Sequence, residues 1–370
     1  MVDRGRDAVS GDGCSLAARE ADARPMSETV TLTSPAAMAR AGLVAPERLA
    51  DLEAVAARYA VAVTPTSADL IDPSDPGDPI GLQFLPHAAE LLTAADEVAD
   101  PIGDLAKSPV EGIVHRYPDR VLLTPTLVCA TYCRFCFRRE RVGPGRGGSL
   151  TAAQLDAALA YIAERTEIWE VILTGGDPLV LSARRLSALM SRLGKIDHVK
   201  VVRIHTRVPA VAPERITPAL ISALRRSGKA VYVGLHANHP RELTPEVRAA
   251  CARMIDAGIP MLSQSVLLRG VNDDPQVLAE LMRAFVETRI RPYYLHHGDA
   301  APGTSHLRLG LAEGQALVRS LRGRISGLAQ PTFVLDIPGG HGKVPVGPGY
   351  LSEDRRRVED PWGEPHDLDG

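Results

Sequence analysis

From about residue 120 onward, apolar runs of strand length alternate with helical segments, and this alternation constrains the fold more than any other feature. Six β-then-α units predict parallel strands joined by right-handed crossovers. Six units favour an α/β fold with an open, partial (β/α)6 barrel of the TIM type over a closed eightfold barrel. In such a barrel, functional groups lie at the carboxyl ends of the strands. The six runs cover residues 120–126, 169–174, 199–205, 230–236, 260–268 and 291–297.

The helical segments between these runs carry start and stop signals. Residues 151–165 predict a helix capped by Ser149. Residues 244–257 predict a helix that begins at Thr244-Pro245 and stops at Gly258. Each of these helices would cross back over the sheet between two parallel strands.

Upstream of the barrel the pattern is less regular. Residues 46–59 have the apolar spacing of a helix, residues 61–80 are rich in Pro, Asp and Ser like a loop, and a second helix is predicted near 86–98. These observations divide the chain into four parts. They are a disordered tail (1–33), an N-terminal helical region (34–112), the barrel core (113–330) and a C-terminal Gly-rich lysine segment with its tail (331–370).

Composition excludes several classes of partner. The chain has 42 Lys+Arg against 45 Asp+Glu, so we expect neither nucleic acid nor an acidic membrane surface as a partner. We find no apolar run long enough to span a bilayer and no signal peptide, and therefore expect a cytoplasmic protein. Whether translation starts at Met1 or at Met26 is left open.

Cys129, Cys133 and Cys136, three of the five cysteines, lie within eight residues directly after the first strand run. Structural zinc is one alternative, but zinc takes four ligands and no fourth Cys or His has a suitable spacing. Three thiolates would hold three irons of a [4Fe–4S] cluster and leave the fourth iron open for S-adenosylmethionine (SAM). The spacing C-x3-C-x2-C, with Phe135 inside it, resembles the signature of the radical SAM superfamily.

A glycine turn follows the second strand run at the same end of the barrel. Gly175, Gly176 and Asp177 stand there, followed by a proline. Gly-Gly and Asp-Pro also mark ordinary turns. The segment resembles the turn through which radical SAM enzymes hold the amino group of SAM, where glycine would allow close backbone approach.

A lysine lies in a second glycine-rich segment, residues 336–345. The segment fails the P-loop pattern because Ile337 and Val344 stand where Gly and Ser or Thr are needed. An exposed lysine on a mobile loop is one interpretation. The other is a lysine on a glycine hinge, which forms and releases a Schiff base with pyridoxal phosphate (PLP).

Together these motifs resemble the lysine 2,3-aminomutase family, which combines radical SAM and PLP chemistry. The similarity runs from about residue 84 to 350. Its motifs in chain order are 115–120, 129–139, 174–179, 236–240, 263–272, 292–294 and 336–346. Several independent motifs in the right order make the resemblance specific.

The resemblance implies a role for each of these residues. Lys343 would carry PLP, and Arg138 would bind the substrate carboxylate. The cluster would be bound by Cys129, Cys133 and Cys136, and the PLP phosphate by Arg116 and Arg120. SAM would be bound by Gly175, Gly176, Asp177, His236 and Gln264. The terminal amine of the substrate would be bound by Asp299 and Asp336.

The two aspartates also imply the substrate. Members of the family that act on glutamate lack this carboxylate pair, and two carboxylates favour a cation. We therefore expect conversion of L-lysine to β-lysine by 1,2-amino migration. A related aminomutase acting on arginine or glutamate stays open as an alternative, as does supply of β-lysine for elongation factor P modification. A flavodoxin or ferredoxin would donate the electron.

The sequence departs from the long members of the family in two places. Val271-Asn272-Asp273 is followed by Asp274 instead of cysteine, and the tail after Tyr350 has no cysteine. We therefore predict no structural zinc, and self-association into a homo-oligomer is left open. His296 and Gly298 also differ.

Two other classes of protein are less consistent with the sequence. A simple iron–sulfur carrier would not need Lys343, and a radical SAM methylthiotransferase would bring a second cysteine trio.

Overall fold

The computed structural model describes residues 30–368. The predictions for residues 1–29, including a start at Met26, lie outside them. The helices are α1 (Pro35–Arg40), α2 (Leu49–Arg58), α3 (Pro65–Leu70), α4 (Gly81–Phe84), α5 (Ala152–Ala163), α6 (Ala183–Gly194), α7 (Val208–Val211), α8 (Pro218–Leu224), α9 (Pro245–Asp256), α10 (Pro275–Glu287) and α11 (Leu311–Leu321). The strands are β1 (Ile113–Tyr117), β2 (Arg120–Thr126), β3 (Glu170–Gly175), β4 (Val201–Thr206), β5 (Ala230–His236), β6 (Met261–Val266), β7 (Ile290–His296), β8 (Thr332–Ile337), β9 (Gly342–Pro345), β10 (Arg357–Glu359) and β11 (Pro365–Asp367).

The main sheet has nine strands in the order β1 to β9. Strands β2 to β8 run parallel, and the edge strands β1 and β9 are antiparallel to their neighbours. The six predicted strands are β2 to β7, so the predicted partial barrel is confirmed. The sequence interpretation missed β8, a seventh parallel strand that follows α11.

Helices cover the outside of the barrel, and the strands alternate between two environments. On β4, Val202 and Ile204 are fully buried against the helices, whereas Arg203 and His205 keep partial exposure. The alternation follows from the two-residue period of a strand, which sends every second side chain into the lumen. Polar residues at the strand ends therefore converge inside the barrel.

The N-terminal region differs from the prediction. Residues 30–33 do not belong to a disordered tail, because Leu32 forms an antiparallel bridge with Val63. The predicted helix near 86–98 is wrong, since only Ala88–Leu91 forms a 3-10 turn. Residues beyond it are fixed by Glu97, whose carboxylate accepts the backbone N–H groups of 303–305.

Two helix boundaries show how capping sets the ends. Thr151, not Ser149, caps α5, because its hydroxyl accepts the Gln154 backbone N–H. The Ser149 hydroxyl instead donates to Thr126 Oγ1 over 3.3 Å. As predicted, Thr244 caps α9 ahead of a proline. No helix in residues 30–368 is long and apolar enough to cross a membrane.

The two edge strands meet across the open side of the barrel. The backbone N–H of Lys343 on β9 donates to the hydroxyl of Tyr117 on β1 over 2.7 Å. This hydrogen bond connects the first and last strands of the sheet. The lysine is thereby held at the barrel wall beside the lumen.

Candidate active site

The three clustered cysteines lie on the loop between β2 and α5, at the carboxyl end of the barrel. Burial raises the pKa of all three thiols, to about 11 for Cys136. Charge on neighbouring cysteines adds to the rise. Without a metal, these buried thiols therefore ionise only with difficulty. A strongly charged metal centre stabilises thiolates, so three soft sulfur donors of this kind are suited to one.

The donor set fits a cluster better than a single ion. Within residues 30–368, no three Cys, His, Asp or Glu side chains converge closely enough to hold one metal ion. Thiolates that each bind a different iron of a [4Fe–4S] cluster do not need to converge in that way.

Buried ion pairs anchor the cysteine loop to the N-terminal region. Arg134 and Arg139 lie on either side of Cys136 in the sequence, and both donate to the carboxylate of Glu90, which has no exposed surface. The guanidinium of Arg139 also lies over the ring of Tyr59, 3.6 Å from its centroid. Because a buried carboxylate with two arginines is costly to separate, the loop is held firmly.

The glycine turn after β3 packs directly on the cysteine loop. A Cβ at Gly176 would lie 2.3 Å from the carbonyl oxygen of Val128, so no larger residue fits. The Gly176 N–H donates to Thr126 O and the Asp177 N–H to Val128 O. Gly175 adopts φ +112, which favours glycine. These contacts account for both glycines through the protein's own backbone.

The side chain of Asp177 is fully engaged by protein. Its carboxylate accepts the Thr206 hydroxyl at 2.7 Å and the backbone N–H groups of Leu179, Arg207 and Val208. These four donors favour a role in holding the turn over a role as a direct SAM ligand.

Lys343 is placed differently from the hinge that its sequence suggested. It lies on β9 and pairs with Asp336 on β8 in the register of the hairpin. Its Nζ donates to Asp336 and lies 3.1 Å from His296 Nδ1. The glycines form the turn before the strand, where Gly340 has φ +84 and packs on Gly103.

The pKa values of the two aspartates predicted for the substrate amine are shifted in opposite directions. Burial would raise the pKa of Asp336, but hydrogen bonding from His296 and the charge of Lys343 outweigh it and lower the pKa to about 2. Burial raises the pKa of Asp299 to about 7, and the Asp336 carboxylate adds to the rise. Asp299 is only partly exposed, and the charges of Lys343 and Arg138 act on its carboxyl.

Asp104 joins two of the predicted anion-binding arginines, and sequence reasoning missed it. Its Oδ2 accepts Arg138 Nε at 2.8 Å, and its Oδ1 accepts Arg116 Nη2 at 2.9 Å. Arg138 Nη1 lies 3.4 Å from the Thr174 hydroxyl at the end of β3. One carboxylate, 2% exposed, therefore orients both guanidinium groups.

Arg120 lies nearer to solvent than Arg116. Its guanidinium lies over the Tyr117 ring, 3.8 Å from the centroid, and its Nη1 donates to Asp119 at 2.6 Å. Among the described residues, Nε of Arg116 and Nε2 of His296 are buried without a hydrogen-bond partner. A bound phosphate and a bound ring are groups that could satisfy them.

Two of the five residues predicted for SAM, His236 and Gln264, are paired on the neighbouring strands β5 and β6. Gln264 Nε2 is 3.0 Å from His205 Nε2, and the rings of His205 and His236 meet edge to face. Burial lowers the pKa of His236 to about 3 and that of His205 well below its usual value. Sequence reasoning missed His205, although it ends the third strand run.

The structure therefore brings Arg138, Asp299, Asp336 and Lys343 together, whereas Arg120 begins β2, at the opposite end of that strand from the cysteine loop. Electrostatic coupling links Asp299 to Asp336, Lys343, Arg138 and Asp104. Spacing gave no signal for Asp104, because it lies in an irregular segment upstream of the barrel.

A partial barrel with three thiols in its first βα loop, packed against a glycine turn, defines a radical SAM enzyme. A family model described as the Radical SAM superfamily matches residues 123–282, and one described as Lysine-2,3-aminomutase matches residues 318–358. The chain belongs to the lysine 2,3-aminomutase family, as its relatives show.

Those relatives cover most of the chain. The L-lysine 2,3-aminomutase of Clostridium subterminale is 44% identical over 79% of this chain and 70% of its own length. The putative L-lysine 2,3-aminomutase of Aquifex aeolicus is 38% identical over 83% of both chains. The glutamate 2,3-aminomutase of Clostridioides difficile is 37% identical over 81% of this chain and 70% of its own.

Solved structures add little to this assignment. A radical SAM methyltransferase from Sphaerobacter thermophilus covers 60% of this chain and 68% of its own, with 22% identity and a TM-score of 0.43. Family membership implies three cofactors, namely a [4Fe–4S] cluster, SAM and PLP. The thiol donor set and the lumen lysine fit the cluster and PLP.

Proposed function

We propose that this protein is an L-lysine 2,3-aminomutase that converts L-lysine to β-lysine. The observation that carries the proposal is the carboxylate pair, Asp299 and Asp336, beside Lys343 in the lumen. A lysine that carries PLP no longer offers an ammonium group to Asp336. Both carboxylates then need a cation, and the ε-ammonium of L-lysine supplies one.

The same pair disfavours glutamate as the substrate. A γ-carboxylate placed beside Asp299 and Asp336 would add a third negative charge to a poorly solvated pocket. Burial is the main cause of the raised pKa of Asp299, and repulsion from the Asp336 carboxylate already adds to it. The family resemblance alone does not decide this, because relatives of both substrate classes match the chain.

The opposite end of the substrate would meet Arg138. Its guanidinium forms a planar fork, and Asp104 fixes its direction through Nε and Nη2, which leaves Nη1, near the Thr174 hydroxyl, to meet a carboxylate. Arg116 is held by the same aspartate and is suited to the PLP phosphate. A substrate between Arg138 and the aspartate pair would place C2 and C3 within the lumen.

When bound, SAM on a reduced cluster supplies a radical that removes hydrogen, and PLP supplies an electron sink for the migrating amine. The chain's own residues position and shield these groups. Tyr117 fixes the backbone of Lys343, Asp336 and His296 hold its amine, and the aromatic side chains of β7 line the same wall. Exclusion of water protects a radical from side reactions.

The expected setting is the cytoplasm, where reducing conditions keep the three thiols free. A flavodoxin or ferredoxin would supply the electron to the cluster there. No nucleic acid enters the proposal.

A substrate panel tests the assignment. The reconstituted enzyme with PLP, SAM and dithionite is incubated anaerobically with L-lysine, L-arginine, L-glutamate or L-norleucine. We expect β-lysine as the main product, detected by chromatography with mass spectrometry. Norleucine has the length of lysine without its charge, so it should react at least about tenfold more slowly, as expected for loss of a charged contact.

The matched variant is Asp299→Asn, which keeps the shape of the side chain and removes its charge. It should lose the preference for lysine over norleucine while keeping its cluster. A wild-type enzyme that turns over glutamate faster than lysine would contradict the proposal.

A further inference from the structure

The loop after β4 carries a buried arginine that the proposed binding of substrate and PLP does not use. Arg207 follows the last residue of β4 and is 6% exposed. Its Nη1 donates to the Sγ of Cys133 over 3.5 Å. Cys133 thus receives a charged side-chain donor.

The direction of this guanidinium is fixed by buried acceptors. Arg207 Nη2 donates to Glu242 Oε2 at 2.6 Å and to Gln83 Oε1 at 2.5 Å. The other oxygen of Glu242 accepts the backbone N–H groups of Asn238 and His239. Gln83 and Glu242 are at most 1% exposed. The remaining Nη group therefore points steadily at the sulfur.

The backbone of Arg207 is fixed as well. Its N–H donates to Asp177 Oδ2 at 2.7 Å, and Asp177 in turn donates its own N–H to the cysteine loop at Val128. The rings of Phe84 and Phe135 lie 4.7 and 5.5 Å from the guanidinium carbon. Because the group is buried from water, its electrostatic effect on the sulfur is strengthened.

Hydrogen bonds to the sulfurs, net charge and solvent exposure set the reduction potential of an iron–sulfur cluster. A cationic N–H donor stabilises the form with the extra electron, so it raises the potential. The nearby Glu242 carboxylate acts in the opposite direction. A buried ion pair is a weak source of stability, so its place beside a ligand sulfur suggests another role.

We propose that Arg207 is a positioning residue that sets the reduction potential of the cluster by donating a hydrogen bond to Cys133, with Glu242 orienting it. The step concerned is the one-electron reduction of the [4Fe–4S]2+ state to the 1+ state by a low-potential donor. The proposal rests on the proposed function only through the cluster, and it needs neither PLP nor lysine.

The test is an anaerobic redox titration of the reconstituted full-length protein without SAM, PLP or substrate, followed by electron paramagnetic resonance. Arg207→Gln should shift the midpoint potential to a more negative value, with iron and sulfide content unchanged. Glu242→Gln removes a negative charge near the cluster and leaves Gln83 to orient the guanidinium, so it should shift the potential to a more positive value. A purely structural disturbance would not give shifts of opposite sign.

Arg241→Gln is the matched control. Arg241 is adjacent to Glu242, but it pairs with Asp78 and its side chain is 42% exposed. It should leave the potential unchanged. If Arg207→Gln does not assemble the cluster, Arg207→Lys is measured instead. Lysine keeps the charge but loses the planar fork, so the potential of this variant should also fall.

Two outcomes would overturn the proposal. One is an Arg207 variant with full iron content and the wild-type potential. The other is a shift in the same direction for Arg207→Gln and Glu242→Gln. Failure of the wild-type enzyme to act on lysine would leave these potentials interpretable, whereas a wild-type protein without a cluster would refute both proposals.

Discussion

The pH dependence of lysine binding follows directly from the unusual carboxyl of Asp299. Burial raises its pKa to about 7, and Asp336 adds to the rise. A substrate ammonium binds the ionised form, so the apparent affinity scales with the ionised fraction. For a pKa near 7, that fraction is about one tenth at pH 6 and about nine tenths at pH 8. Lysine binding should therefore strengthen about tenfold over this interval.

The assay must separate this effect from titration of the substrate's α-amine. L-Norleucine has the same α-amine chemistry and no terminal charge, so the ratio of the two dissociation constants isolates Asp299. PLP removes the charge of Lys343, which lowers the pKa of Asp299 in the ligand-free protein. We therefore expect the ratio of the norleucine to the lysine constant to rise at least about tenfold from pH 6 to pH 8 in the PLP-loaded enzyme. Asp299→Asn should make the ratio independent of pH. A ratio that stays constant or falls in the wild type would refute the reasoning.

Three further predictions concern single residues. Lys343→Ala should keep its iron and sulfide but lose the visible absorbance of lysine-bound PLP and all turnover; retained absorbance would show that another lysine carries PLP. Asp104→Asn should weaken substrate binding by at least about tenfold, the loss expected when a charged hydrogen bond no longer orients Arg138, with folding checked by circular dichroism. In the wild type, the pKa of Asp299 is about three units higher in the native state than in the unfolded state, so the free energy of unfolding falls once the unfolded carboxyl ionises. Asp299→Asn removes this loss and should stabilise the ligand-free protein by up to about 4 kcal/mol at pH 8. The wild type loses this stability as pH rises from about 4 to 7, so the variant should be stabilised less at pH 5 than at pH 8. Equal stabilisation at pH 5 and pH 8, measured by urea unfolding, would contradict this account.

The sequence predicted the barrel because its strand runs are long and apolar, and β2 to β7 fall close to the predicted residues. It missed β8, whose last two residues, Asp336 and Ile337, lead into the lysine hairpin. Their motif was interpreted as a loop because glycines dominate it. Pairing with β7 and β9 fixes this segment as a strand, and pairing is a non-local property.

The site was predictable where a motif carries its own chemistry, as for the three cysteines. Residues that act through distant partners were not predictable. Glu90 lies in a segment interpreted as a helix, yet its carboxylate turns inward to Arg134 and Arg139. Asp104 and Arg207 likewise owe their places to contacts far apart in the chain. Charge pairs of this kind appear only once the fold has brought them together.

The most direct test of the central claim follows the nitrogen atom itself. A mixture of L-[2-15N]lysine and unlabelled-nitrogen L-[13C6]lysine is incubated with the complete anaerobic system, and the β-lysine formed is analysed by mass spectrometry. Intramolecular 1,2-amino migration predicts 15N only at C3 of the 12C product and no molecule with both labels. Product with exchanged nitrogen, or cleavage of SAM without any β-lysine, would contradict the account.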